Sequence, residues 1–229
     1  RDFCLSRGLG DVYKRQSWNC QSVRNKISEL TRHLETNFYH LILLQETWLN
    51  PKVSIKIPNY NLIRSDRNTS NSKNPHGGVA ILIHFSMRYK VLKFCSLEYM
   101  ESIFIKAFLE NEKILIGNVY SSSSLNNTMS KKDFEKILTH SGPFIIAGDF
   151  NAKHKAWNNH KNCRKGIALE NLCRQNLCTV HFPDSPTIIP CKGEPSIIDF
   201  VISKRVPGIS KPKSLNIFSS DHFPIEFTI

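Results

Sequence analysis

In this sequence of 229 residues, polar side chains stand where apolar runs stop. Glu46 follows LILLQ at 41–45, and Asp149 and Asn151 follow FIIAG at 144–148. Tyr120 closes KILIGNV at 113–119, Asn19 lies in SWNC at 17–20, and Asp221 and His222 precede a last apolar stretch. Ligand sites of layered α/β folds gather at such strand ends, where loops meet over a rigid base. Each position alone also has a plainer reading. Glu46 suits a solvated strand terminus, and Asp149 after Gly148 suits ordinary turn chemistry. Asp199 differs, because it interrupts the apolar run 197–202. A carboxylate there costs several kcal/mol unless it is paired, and a histidine is a natural partner. Together the set is coherent. Carboxylates with Asn oxygens suit a hard cation such as Mg2+. A His oriented by a buried Asp suits proton transfer or stabilisation of a charged phosphate. A Tyr hydroxyl and Asn amides donate to phosphate oxygens. Metal, base and donors together make a site for phosphodiester cleavage by water attack.

Positioning these groups requires a scaffold of alternating elements. Ile27, Leu30, Leu34 and Phe38 recur at helical spacing and predict a helix over 25–38. Further helices are expected over 131–138 and 166–177. Strands are expected at 41–45, 79–84, 91–95, 102–108, 113–120, 144–147, 197–202 and 225–229. Strands outnumber helices, and the helices are scattered between them. That pattern predicts an α/β domain of two packed mixed sheets flanked by helices, rather than one doubly wound parallel sheet. Turn-rich loops are expected at 68–75 (NTSNSKNP) and 121–127 (SSSSLNN). Residues 1–16 carry neither periodicity and no apolar segment of signal-peptide type. They resemble a translated library adapter; a natural flexible arm is the alternative. The domain is accordingly expected over 17–229, with its first strand partly overwritten if the adapter reading holds.

Hydrophobic residues at 40% and charged residues at 22% are globular values, which excludes wholesale disorder, collagen-like and coiled-coil classes. No apolar run approaches the roughly 20 residues of a membrane span. The seven cysteines show no zinc-type spacing, and their odd count predicts reduced thiols in a cytosolic or nuclear protein. Lys and Arg number 31 against 19 acids, a net charge of +12 that favours a polyanionic partner, nucleic acid or an anionic membrane surface. Lys153, Lys155, Lys161, Arg164 and Lys165 follow one motif with no intervening acid, and Lys204, Arg205, Lys211 and Lys213 follow another. Such stretches either track phosphates, with salt-dependent and largely sequence-blind affinity, or form a solvated face. His154 and Trp157 suit a DNA-contacting pair, with packing the equal alternative for Trp157.

The motifs WN (18–19), QET (45–47), GDFN (148–151), SxID (196–199) and SDH (220–222) occur in this order over the domain. The series resembles the endonuclease/exonuclease/phosphatase superfamily. GDFNAKHKAW (148–157), HGGVAILI (76–83), SPT (185–187) and DHFPI (221–225) narrow the likeness to endonuclease domains of non-LTR retrotransposons, of the Jockey-like group. The resemblance implies a four-layer, DNase I-like α/β sandwich. It implies a Mg2+-dependent endonuclease, with Mn2+ as a substitute, that nicks double-stranded DNA. The 3′-hydroxyl released would prime reverse transcription. It also implies a normally fused C-terminal reverse transcriptase, for which this sequence has no counterpart. Action would be nuclear, after cytoplasmic synthesis, with no membrane partner.

Residue by residue, the resemblance makes Glu46 the principal metal ligand, with Asn19 and Asp221 helping directly or through water. Asp149 would position or deprotonate the attacking water, Asn151 and Tyr120 would hold the scissile phosphate, and His222 paired with Asp199 would stabilise developing charge. The general base is left open. Thr187 and Ser196 sit where DNA-contacting residues are expected, beside Lys153, His154, Lys161 and Lys165. Two departures stand out. Gln21 replaces an Asp of the abasic-site enzymes, and SSSS follows Tyr120 where the family soon has a proline. Two other readings remain: the same fold acting on an inositol phosphate, lipid or RNA, and a decayed, non-catalytic nucleic-acid-binding copy.

Overall fold

In the computed structural model of the chain the described residues are 12–67, 76–92, 97–109 and 112–229. The loop predicted at 68–75 and the end of the strand predicted at 91–95 lie outside them. The strands are β1 (Lys14–Asn19), β2 (Leu41–Gln45), β3 (Tyr60–Ser65), β4 (Val79–His84), β5 (Arg88–Leu92) and β6 (Glu101–Leu109). They continue with β7 (Glu112–Tyr120), β8 (Phe144–Asp149), β9 (Thr179–His181), β10 (Asp199–Lys204), β11 (Lys213–Ser214) and β12 (Ile225–Thr228). They form two six-stranded sheets, β11-β12-β1-β2-β4-β3 and β5-β6-β7-β8-β10-β9.

Each sheet is mixed through one parallel pair, β1 with β2 and β7 with β8. A parallel pair needs a crossover. Here α1 (Ile27–Thr36) and α2 (Asn127–Leu138) supply them, and α3 (Arg164–Gln175) packs beside α2. Alternate residues of the central strands face two ways. Leu41, Leu43, Ile81 and Ile83 meet Ile105, Ile116, Ile145 and Val201 between the sheets. Ile42, Leu44 and Leu82 face α1 through Leu30, while Ile146, Phe200 and Ile202 face the α2–α3 layer through Phe134, Ile137 and Leu169. Strands covered on both faces read as continuous apolar runs, which is why LILLQ and FIIAG lack alternation. The result is the four-layer sandwich of two mixed sheets flanked by helices that the sequence predicts.

The element bounds differ in instructive places. β1 begins at Lys14, so three residues of the segment set apart as 1–16 belong to a central strand. Arg15 pairs with Leu41 on one side and Phe227 on the other. Pairing from both neighbours fixes the strand there, against the polar pattern of its residues. Arg15 is 0% exposed, and among the described residues its Nε and Nη2 and the Gln16 Oε1 have no hydrogen-bond partner. α2 starts at Asn127 rather than 131, because the Asn126 side chain accepts from the Met129 amide at 2.9 Å and caps it. β10 starts at Asp199, so that carboxylate opens the strand instead of interrupting it. β3, β9 and β11 carry no pattern that the sequence reading detects.

Candidate active site

The chemistry-bearing residues gather at one edge of the sandwich because the register ends their strands together. Asn19 lies beside Gln45, Tyr120 beside Asp149, and Asp149 beside Asp199. Just past these ends the chain turns sharply. Gln21, Ser22, Glu46, Trp48 and Asn151 all hold positive φ between 40° and 79°. Non-glycine residues in this region cost energy and cluster at functional sites. Beneath the edge a buried amide clamp joins the sheets. Gln45 donates to the Asn118 Oδ1 at 2.7 Å, and the Asn118 amide donates to the carbonyls of Leu44 and Ala80 at 2.9 and 2.8 Å.

One amide bridges two carboxylates: the Asn19 Nδ2 lies 2.9 Å from the Glu46 Oε1 and 2.9 Å from the Asp149 Oδ2. Asp149 also accepts from the Asn151 backbone and side-chain amides, both at 2.9 Å. The second Glu46 oxygen accepts from the Trp48 indole at 3.2 Å. Tyr120 is buried at the end of β7, beside Asp149. The His222 Nδ1 faces the Asp199 carboxylate at 3.0 Å, and its Nε2 lies 4.0 Å from the Asp149 Oδ2. The backbone of His222 is fixed by the Trp18 indole, which donates to its carbonyl at 3.2 Å.

Burial sets the charge states. It pushes Asp149 up from 3.8 to about 7, assisted by the Asp199 charge and opposed by His222 and the amide donors. For His222 burial favours the neutral ring, but the Asp199 charge and hydrogen bond, with Asp149 and Glu46 behind them, outweigh it and raise the ring to about 9. Burial and the Glu46 and Asp149 charges push the Tyr120 phenol up, so it remains a neutral donor. A charged imidazole, a neutral phenol and a carboxylate poised near neutrality therefore share one pocket edge.

The structure brings Asn19, Glu46, Tyr120, Asp149, Asn151, Asp199 and His222 together. Asp221, between Ser220, which donates to the Asn19 carbonyl at 2.9 Å, and His222, is exposed, and its carboxylate makes no hydrogen bond among the described residues. Thr187 is fully buried, and its hydroxyl accepts from the amides of Ile198 and Asp199, both at 3.1 Å. A hydroxyl so enclosed braces the start of β10 and does not reach DNA. Ser196 is also buried, with its hydroxyl on the Glu194 carbonyl at 3.0 Å. Lys165, predicted as a surface cation, is buried in the first turn of α3. Lys153 and His154 are half-buried, whereas Lys155, Lys161 and Arg164 are exposed. Trp157 is core, 5.2 Å from the Phe200 ring. Two residues escaped sequence reasoning. Trp48 packs edge-on to His76 at 4.7 Å, and its only signal is its place two residues after Glu46. Asn159 pairs its amide with the Ile197 backbone at 2.9 and 3.0 Å, and nothing in the sequence marks it.

The donor chemistry fits a hard cation: Glu46 and Asp149 bring carboxylate oxygens to either side of the Asn19 amide, the Asn19 oxygen accepts from the Gln21 amide at 3.3 Å, and Asp199 engages the Nδ1 of the nearby His222. Among the described residues, Asp149, Asp199 and His222 also place ligand atoms within 4.8 Å of one another. That buried cluster could also hold a metal ion, with the Asp199–His222 hydrogen bond accounting for two of its three members.

Comparison with known proteins agrees. A family model described as "Endonuclease-reverse transcriptase" matches residues 114–226. The probable RNA-directed DNA polymerase from transposon X-element of Drosophila melanogaster is 30% identical over 93% of this chain, and that of the mobile element jockey is 25% identical over 91%. The chain spans 23% of the length of each of these two relatives. Among solved structures, the endonuclease domain of TRAS1, a telomere-specific non-LTR retrotransposon, superposes with a TM-score of 0.77 at 17% identity, covering 96% of this chain and 98% of that one. The AP endonuclease LMAP from Leishmania major gives 0.75 at 13% identity, covering 95% and 87%. The chain is thus similar, over nearly its whole length, to the endonuclease region of non-LTR retrotransposon proteins, and it has the fold of their endonuclease domains.

Proposed function

We propose that this domain is a metal-dependent phosphodiesterase that nicks double-stranded DNA and leaves a 3′-hydroxyl to prime reverse transcription. The observation that carries this reading is the Glu46–Asn19–Asp149 bridge set against the Asp199–His222 pair. Glu46 and Asn19 would hold Mg2+, or Mn2+ in its place, with the exposed Asp221 a through-water partner. When bound, the ion supplies Lewis-acid stabilisation of phosphate charge. Asp149, raised toward neutrality, orients an attacking water and accepts its proton. The charged His222 ring, held by Asp199, donates toward the developing charge on phosphorus-bound oxygen. Tyr120 and the Asn151 amide hold the non-bridging oxygens. Exposed Lys155, Lys161 and Arg164, with half-buried Lys153 and His154, give the duplex a basic track beside the site.

The net charge of +12 favours DNA over an inositol phosphate or lipid headgroup of the same chemistry. By analogy with its longer relatives, the domain would work fused to a reverse transcriptase and act in the nucleus. One observation favours a second reading, a non-catalytic nucleic-acid-binding copy: the buried Arg15, whose Nε and Nη2 have no hydrogen-bond partner among the described residues, weakens the strand that carries Asn19. A substrate panel separates these. Supercoiled plasmid, RNA, an inositol polyphosphate and a phospholipid are each incubated with Mg2+ and with chelator. Metal-dependent conversion of plasmid alone to the nicked circle is expected. Turnover confined to another member would reassign the substrate, and DNA binding without turnover of any would favour the second reading.

A further inference from the structure

Lys165 is a buried cation that the proposed chemistry does not use. It is 7% exposed, in the first turn of α3. That turn is pressed onto the loop after β8, since a Cβ on Gly166 would lie 2.0 Å from the Lys153 carbonyl oxygen. The Lys165 ammonium thereby reaches the segment that follows Tyr120. It donates to the Ser121 hydroxyl at 3.2 Å and to the Ser122 carbonyl at 2.9 Å. Ser121 is itself fully buried, and its amide donates to the Asp149 carbonyl at 2.9 Å. Ser121 directly follows Tyr120, which ends β7 beside Asp149. The Lys165 ammonium therefore holds the backbone that leaves Tyr120, and through Ser121 it is tied to the end of β8.

An ammonium withdrawn from water is costly unless its N–H groups are paired and a counter-charge is near. The two serine contacts pair it, and the Asp149 carboxylate supplies the counter-charge. The same contacts replace what this segment lacks. A run of serines after Tyr120 has no rigid residue to fix its backbone, and the cation pins it from below.

We propose that Lys165 is a positioning residue for Tyr120: it ties down the Ser121–Ser122 backbone so that the phenol keeps its place at the end of β7, beside Asp149. The proposal rests on the phosphodiesterase reading above. Its enclosure argues against a phosphate contact, which would need the ammonium free at the surface.

The test compares Lys165→Met, Lys165→Arg, Tyr120→Phe and the double variant Tyr120→Phe/Lys165→Met in the full chain, using plasmid nicking and amide exchange over 119–125. Lys165→Met should lower kcat by roughly 10- to 100-fold, the scale of a misplaced reacting group. KM and the salt slope of DNA binding should not move, Lys165→Arg should restore much of the rate, and exchange at 121–124 should quicken. The double variant should be no slower than Tyr120→Phe alone. Parental kcat in Lys165→Met, additive losses in the double variant, or a reduced salt slope would each overturn the proposal. If the parent chain does not nick, the phosphodiesterase reading fails. Exchange then decides alone: quickening in Lys165→Met that Lys165→Arg reverses supports the tie, and unchanged exchange overturns it.

Discussion

Replacing Arg15 by Leu should stabilise the domain, and the size of the gain follows from the strand's surroundings. Arg15 lies between Leu41 and Phe227 in the middle of a sheet. Its Nη1 donates to the Tyr13 carbonyl at 2.7 Å, but Nε and Nη2 have no hydrogen-bond partner among the described residues. Burial lowers its pKa to about 10. A depressed pKa on a base means that folding disfavours its charged form. The penalty is therefore fully present below about pH 10 and relieved as pH rises toward the ordinary arginine value. At roughly 1.4 kcal/mol per unit, the shift corresponds to about 3 kcal/mol at neutral pH. The unpaired donors point the same way, at roughly 1–3 kcal/mol each, and overlap with that figure. Arg15→Leu should thus add about 3 kcal/mol, which for a domain of this size is roughly 6–12 °C in Tm. Urea unfolding of parent and variant measures it directly, with an unchanged m-value showing that stability alone has moved. The gap should narrow above about pH 10. An equal or lower midpoint for Arg15→Leu would refute the placement of this side chain inside the sheet.

Other outcomes follow from the same geometry. Gly148→Ala should unfold the site edge and abolish nicking, because its Cβ would lie 1.8 Å from the Val119 carbonyl oxygen; a folded, active variant by circular dichroism and plasmid assay would contradict that. The Asp199–His222 pair raises the ring from 6.5 to about 9, so its stabilisation is complete below about pH 6.5 and lost as pH rises through 9. Asp199→Asn should therefore destabilise most at the acid end of that window, as read by unfolding midpoints from pH 6 to 10, and a pH-independent difference would count against the pair. Lys161→Ala should reduce the salt slope of DNA binding by about one unit, whereas an unchanged slope would remove Lys161 from the DNA track.

The sequence exposes what strong local forces decide. Runs such as 41–45 and 144–147 are buried on both faces and stop at charged residues, so the strands and most of the site could be read together. The buried Asp199 called for a partner, and His222 provides it at 3.0 Å. What tertiary structure decides was hidden. β1 extends over Lys14–Gln16 because two neighbouring strands pair with it, although its residues argue against a strand. Thr187 and Lys165 look like surface residues because local polarity does not reveal that backbone amides and serines enclose them. Trp48 and Asn159 act through contacts with Glu46 and Ile197 that no spacing announces.

The proposed cleavage of DNA at the Asp149 and His222 site is tested by nicking of supercoiled plasmid in Mg2+ by the chain and by Asp149→Ala and His222→Ala, with stability of all three checked by thermal unfolding. Nicking is expected that chelator abolishes and that each substitution lowers by at least about 100-fold, the scale of lost acid–base help. Equal rates in the parent and both folded variants would contradict it.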